Sequence, residues 1–135
     1  MTKIRTIYTG HFHTEAIHLQ SGNKIETDAP LDNNGKGECF SPTDLFATSL
    51  GSCILTVLGM AANTHGFSIE GTRIETEKIM ATNPRRVGEL KLDIYFPYNY
   101  TGKEMKIIKM TINTCPVANS LHPDIVKNIT FHFPE

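Results

Sequence analysis

The stretch SPTDLFATSLGSCILTVLGM, residues 41–60, opens like a helix and then sets one thiol, Cys53, in an apolar run. Ser41 suits the N-cap, because its hydroxyl can accept from the free N–H groups of a first turn. Pro42 suits the first helical position, where its missing N–H costs nothing, and Asp44 favours the positive end of the helix dipole. Gly66 can end the helix in a left-handed conformation. No charged residue lies between Leu45 and Thr64, a length nominally able to cross about 30 Å of hydrocarbon. Thr48, Ser49, Ser52, Thr56 and Asn63 interrupt the run, and no basic flank follows. A buried helix of a soluble protein is therefore expected, not a membrane span. Apolar nearly all round, this helix must be covered on most sides. Ser49, Ser52, Thr56 and Gly59 form a stripe of small residues at helical spacing, where another backbone could approach closely. Either the helix lies under its own sheet or it forms the core of a homodimer; the dimer is the expectation.

Upstream of this helix, residues 4–9 and 11–19 are β-rich and partly alternating, and Ser21-Gly22-Asn23 offers a turn before Ile25. This pattern predicts a small antiparallel meander. Residues 28–41, DAPLDNNGKGECFS, make a polar loop longer than most connections, of the kind that is functional or crosses between subunits. After Gly66 a strand is expected over 67–79, with a bulge at Gly71. Residues 86–96 alternate, with Leu90, Leu92, Ile94 and Phe96 on one face and Lys91, Asp93 and Tyr95 on the other. Thr101 with Glu104 forms a capping box for a helix to about Asn113, with Met105, Ile108 and Ile112 inward. A second short helix starts at Cys115-Pro116, and Ile129, Phe131 and Phe133 alternate as a closing strand. Strands and helices are segregated rather than strictly alternating, so the class is α+β, as a single domain over residues 1–135.

The composition narrows the partners. The chain has 135 residues, 39% hydrophobic and 20% charged, with a net charge of −1, as expected of an ordinary globular domain with a real core. Lys and Arg are scattered, which argues against nucleic acid or an anionic membrane as the main partner. The start, MTKIRTIYTGHFH, lacks the apolar stretch and cleavage site of a secretory signal. Three cysteines leave one unpaired in any intramolecular scheme. A reducing compartment, the cytoplasm, is expected, where a paired thiol is catalytic or transient.

Cys53 and Cys115 pose the functional question. A thiol in mid-helix gains little from the helix dipole, and an apolar surround raises its pKa, so Cys53 alone reads as structural. Pro116 at the first helical position places Cys115 at an N-cap, where free N–H groups favour a thiolate. Elementary electrostatics therefore make Cys115 the more acidic thiol.

The stretches SPTDLFATSLGSCILT, residues 41–56, and CPVANS, residues 115–120, together resemble the OsmC/Ohr family of osmotically inducible and organic-hydroperoxide-resistance proteins. The order of elements agrees over nearly the whole chain. The resemblance implies an OsmC-like fold, an intertwined homodimer with two long helices packed centrally, and sites at the interface. It also implies a thiol peroxidase: Cys53 is the peroxidatic thiol, oxidised by an organic hydroperoxide to sulfenic acid, and Cys115 is the resolving thiol that condenses with it into a disulfide. An external dithiol would reset the pair by exchange. Phe46, Leu50, Ile54 and Val57 would suit organic peroxides. In the family's peroxidases an Arg from the N-terminal strands and a Glu directly after the helix-opening Pro activate the buried thiol. Here Thr43 follows Pro42, Asp44 comes one place later, and the N-terminal HFHTEAIH carries His13 where the Arg is expected. His13 and Asp44 are therefore the candidate activating pair, His13 as cation or base without the bidentate clamp of an Arg.

No cofactor is expected. His11 and His13 share a strand face, His18 lies on the face opposite His13's, and no local Cys or Asp completes a metal set. Cys39, in the polar loop, reads as incidental, or as a mobile thiol able to intercept oxidised Cys53. Two other functions stay open: an apolar-ligand binding protein on the same dimer, and a Cys-His hydrolase using His13 or His122 as base. The hydrolase lacks a visible oxyanion hole.

Overall fold

A computed structural model describes residues 1–135. The chain folds as two compact units, Met1–Phe46 and Ala47–Glu135.

The first unit is the expected meander. Strands β1 (Ile4–Gly10), β2 (His13–His18) and β3 (Lys24–Asp28) form a three-stranded antiparallel sheet in that order. The β1–β2 link is tight: Gly10, His11 and Phe12 all have positive φ, and the register shifts between Tyr8 and Gly10. His18 holds the next turn, its Nδ1 lying 2.6 Å from the Ser21 hydroxyl. In β2 and β3, His13 stands directly opposite Asp28. The loop after β3 contains a single 3-10 turn, Leu31–Asn33, and returns to the sheet where the Asp28 N–H donates to the Phe40 carbonyl.

Helix α1 (Pro42–His65) starts as its sequence dictates. The Asp44 N–H donates to the Ser41 hydroxyl at 3.0 Å, and the Ser41 N–H donates to the Asp44 carboxylate at 2.9 Å. Two otherwise orphaned donors are satisfied reciprocally. At the other end Gly66 has φ +78°, the left-handed stop that a residue with a Cβ adopts only under strain.

In the second unit, β4 (Arg73–Ala81), β5 (Arg86–Tyr95) and β6 (Val126–His132) form a sheet with β5 central. β4 runs antiparallel to β5, and β6 runs parallel to it. A hairpin turn cannot deliver a parallel partner, so the chain crosses back through α2 (Gly102–Ile112) and α3 (Pro116–Ser120). The capping box between Thr101 and Glu104 opens α2 as expected. The strand expected over 67–79 begins later: residues 68–72 turn instead, with the Thr72 N–H donating to the Ile69 carbonyl. Gly71, expected as a bulge, supplies the positive φ of this turn, +89°. The irregularity in β4 falls between Ile79 and Met80.

The core is where α1 meets this sheet. Leu50, Ile54 and Leu58 of α1 cluster with Val87, Leu90, Leu92 and Ile94 of β5, Ile108 and Ile112 of α2, and Cys115. At spacings of three and four, Ala47, Leu50, Gly51, Ile54, Leu58 and Ala62 make one buried helix face. α1 is long and apolar enough to cross a membrane by composition, but that face packs on protein. The opposite side is open: Ser52, Thr56 and Asn63 are exposed, and Met60 is 65% exposed. The Thr56 hydroxyl is satisfied by the Ser52 carbonyl, so this stripe presents few unmet polar groups.

Candidate functional site

Cys53 and Cys115 come together in the second unit. Cys53 is half-buried on α1, and Cys115 is fully buried at the N-cap of α3. Their side chains lie close enough for Cys53 to act on the Cys115 thiol, and both thiols are free. Helix α1 supplies one sulfur from a rigid, capped element. The α2–α3 turn supplies the other, held as the Ala118 N–H donates to the Cys115 sulfur at 3.4 Å. Pro116 comes next in the chain and fixes where α3 begins.

The low pKa expected of Cys115 from its N-cap position is not realised. The N-cap does act as expected, because the Ala118 and Val117 N–H groups favour the thiolate. Burial outweighs them, and the neighbouring Cys53 thiol adds to it, so the Cys115 thiol is pushed above its ordinary value. Sequence spacing revealed the N-cap but not the apolar surround: Leu50, Ile54, Leu90 and Ile108 belong to the same buried cluster.

The other two candidates lie in the first unit. Asp44 is committed to the N-terminus of α1, where its carboxylate accepts from the Ser41 N–H. His13 lies between two carboxylates: Nδ1 is 2.6 Å from Asp28 Oδ1, and Nε2 is 3.1 Å from Glu26 Oε1. Asp28, then Glu26, raise His13 above its ordinary value of 6.5, while His13 in turn holds Asp28 low.

Cys39, read from sequence as incidental, lies beside Asp28 and His13. Burial, then the Asp28 charge, pushes its thiol upward. His13, Asp28 and Cys39 thus form one cluster whose donor atoms all lie within 4.8 Å of one another. The expectation of an incomplete histidine set was drawn from neighbours in the sequence. Asp28 reaches His13 through strand pairing and Cys39 through the loop. The readable signal was the hairpin register: a β2–β3 hairpin turning at Ser21-Gly22-Asn23 sets His13 opposite Asp28. His11 and His18 stay outside this ligand set.

The comparisons agree with this architecture. A family model described as OsmC-like protein matches residues 35–130. A crystal structure from Psychrobacter arcticus 273-4, of a protein described by osmotic stress induction and detoxification response, is 52% identical. The match covers 98% of this chain and 96% of that one, with a TM-score of 0.93. The organic hydroperoxide resistance protein OsmC of Legionella pneumophila is 16% identical, with coverages of 98% and 96% and a TM-score of 0.76. The organic hydroperoxide resistance protein OhrB of Bacillus subtilis is 14% identical, with coverages of 97% and 97% and a TM-score of 0.72. At such identities these two share the fold alone. No protein with a curated description matches in sequence. With the family model spanning most of the chain and a half-identical relative superposing over nearly all of it, the chain belongs to the OsmC-like protein family.

Proposed function

We propose that this protein is a cysteine-based thiol peroxidase that reduces organic hydroperoxides. The observation that carries the reading is the juxtaposition of Cys53 with Cys115, from two separate elements around one apolar cluster. The Cys53 thiolate attacks one peroxide oxygen, the O–O bond breaks, and the alcohol leaves with a proton. Cys53 is then a sulfenic acid. The Cys115 sulfur attacks the Cys53 sulfur, the S–S bond forms, and its proton leaves with the hydroxyl as water. An external dithiol supplies two electrons and two protons to restore both thiols by exchange. The raised Cys115 thiol suits a resolving role, since it stays protonated while peroxide is attacked at Cys53. The test is hydroperoxide consumption by reduced protein in a single turnover.

His13 and Asp44 take the activating role in this reading. Asp44→Asn keeps an oxygen for the helix cap and removes only the charge. Together with His13→Ala, it is expected to slow the first turnover about tenfold or more, within the usual reach of general acid–base assistance. Unchanged rates in both variants would remove the pair from the mechanism and leave the thiols alone to account for it.

The working unit is a homodimer in the cytoplasm. One face of α1 is unoccupied in the single chain, with Met60 at 65% exposure. In the first unit Ile4, Tyr8, Phe12 and Phe40 are each more than half exposed, more apolar surface than a monomer ordinarily leaves in water. Sedimentation at micromolar concentration is expected to show only dimer, and a stable folded monomer would contradict this.

A second reading has its own observation. A cleft of about 480 Å³ has an apolar wall of Leu55, Ala62, Phe67 and Ile69 and a polar one of Asn63, Ser68, Glu70 and Thr72, the mixed lining of a small-molecule site. If reduced protein leaves hydroperoxide unconsumed, a binding role at this cleft becomes the better account.

A further inference from the structure

We propose that His13, Asp28 and Cys39 form a binding site for a divalent cation of the zinc type. The inference goes beyond the peroxidase reading and does not rest on it, since all its residues belong to the Met1–Phe46 unit.

The donor set is a nitrogen, an oxygen and a sulfur, all within 4.8 Å of one another. Tetrahedral zinc at bond lengths of about 2.0–2.3 Å takes such mixed ligands, and three protein ligands leave a fourth position for water. The backbone brings the donors together from separate places. Strand register sets His13 opposite Asp28, and the loop returns Cys39 to the same carboxylate, anchored by the neighbouring Asp28 N–H to Phe40 carbonyl bond. The Asp28 side chain is only 8% exposed and that of His13 25%, so the fold has already ordered these two ligands before an ion arrives.

The surroundings also fit. A histidine that ligates a metal through one ring nitrogen characteristically donates from the other to a carboxylate, which fixes the ring and raises its basicity. His13 has this arrangement: Nδ1 faces Asp28, and Nε2 lies 3.1 Å from Glu26. A cavity of about 390 Å³ opens onto the cluster, with Glu38 and Lys36 also in its wall. This gives the ion a way in. Two nearby glutamates outweigh the one lysine, so the field favours a cation. On binding, the ion replaces the Nδ1 proton of His13 and the thiol proton of Cys39, and both are released to solvent.

Cobalt(II) reports the site through its sulfur ligand. Reduced full-length protein titrated with Co²⁺ is expected to develop a thiolate-to-cobalt charge-transfer band, which Zn²⁺ then bleaches. A Cys53→Ser/Cys115→Ser background should keep the band, and Cys39→Ser should abolish it. Glu26→Gln should weaken the affinity about 10- to 100-fold while the band persists. A band lost with Cys53 and Cys115, or kept without Cys39, would place the ion elsewhere and overturn the proposal. So would Co²⁺ binding with no charge-transfer band. If Cys39→Ser misfolds, alkylation of the wild-type protein reads the same contact: Zn²⁺ should slow modification of Cys39 at least about tenfold, and an unchanged rate would refute it.

Discussion

Reduced Cys53→Ser is expected to consume no organic hydroperoxide above the uncatalysed background, a loss on the order of 10³-fold or more, because removing the nucleophile removes the covalent path itself. Cys115→Ser should behave differently. Its first turnover should proceed, a sulfenic acid should remain on Cys53 where a dimedone-type reagent can trap it, and dithiol-driven recycling should stop. The argument for these roles is physical. Cys115 is fully buried, and its thiol is held protonated by burial and by Cys53, so it is a poor first nucleophile. Cys53 is only half-buried and can meet a substrate. If Cys115→Ser loses the first turnover while Cys53→Ser keeps it, the roles are reversed. If neither substitution changes anything, the two are structural cysteines.

The largest stability effect is expected in the face of α1 next to Cys53. Ile54 is fully buried, in one cluster with Leu90, Leu92, Ile94 and Ile108. Ile54→Ala should cost about 2–5 kcal/mol and Ile54→Val about 0.5–1.5 kcal/mol, since a rigid helix on a sheet collapses poorly around a deleted side chain. Against a total of about 5–15 kcal/mol, that is a large fraction of the stability. Met60, 65% exposed on the same helix, makes the contrast. In an isolated subunit Met60→Ala should fall within about 0.5 kcal/mol of neutral. In the proposed dimer its cost should grow with protein concentration, because any buried contact it makes there belongs to association. Urea midpoints for the variants, measured at two protein concentrations, check both statements. An Ile54→Ala cost below about 1 kcal/mol would show that α1 is not packed as described.

Much of the fold was legible because its signals are local. Ser41, Pro42 and Asp44 announce the start of α1, and Gly66 announces its end; Thr101 and Glu104 do the same for the start of α2. Strand β5 could be read from alternation because one face is dry: Leu90, Leu92 and Ile94 are buried while Lys91, Asp93 and Tyr95 are not. The late start of β4 was missed because the apolar residues of 67–72 suit a strand, while Gly71 serves a turn instead. A glycine tolerates a bulge and a turn equally well, and the packing of the flanking chain selects between them.

Residues within a turn or a hairpin of one another were enough to specify the helix that carries Cys53, the N-cap that carries Cys115, the meander and the α+β class. At that range propensity, capping and periodicity act directly. Three features depend instead on contacts between distant segments: the meeting of the two sulfurs, the parallel pairing of β6 with β5, and the convergence of His13, Asp28 and Cys39. The state of Cys115 is of the same kind. Three residues of sequence specify the N–H groups that would lower its pKa, but the burial that raises it comes from α1, α2 and β5 closing around the same sulfur. Desolvation is a property of everything that surrounds a group, and no local pattern encodes it.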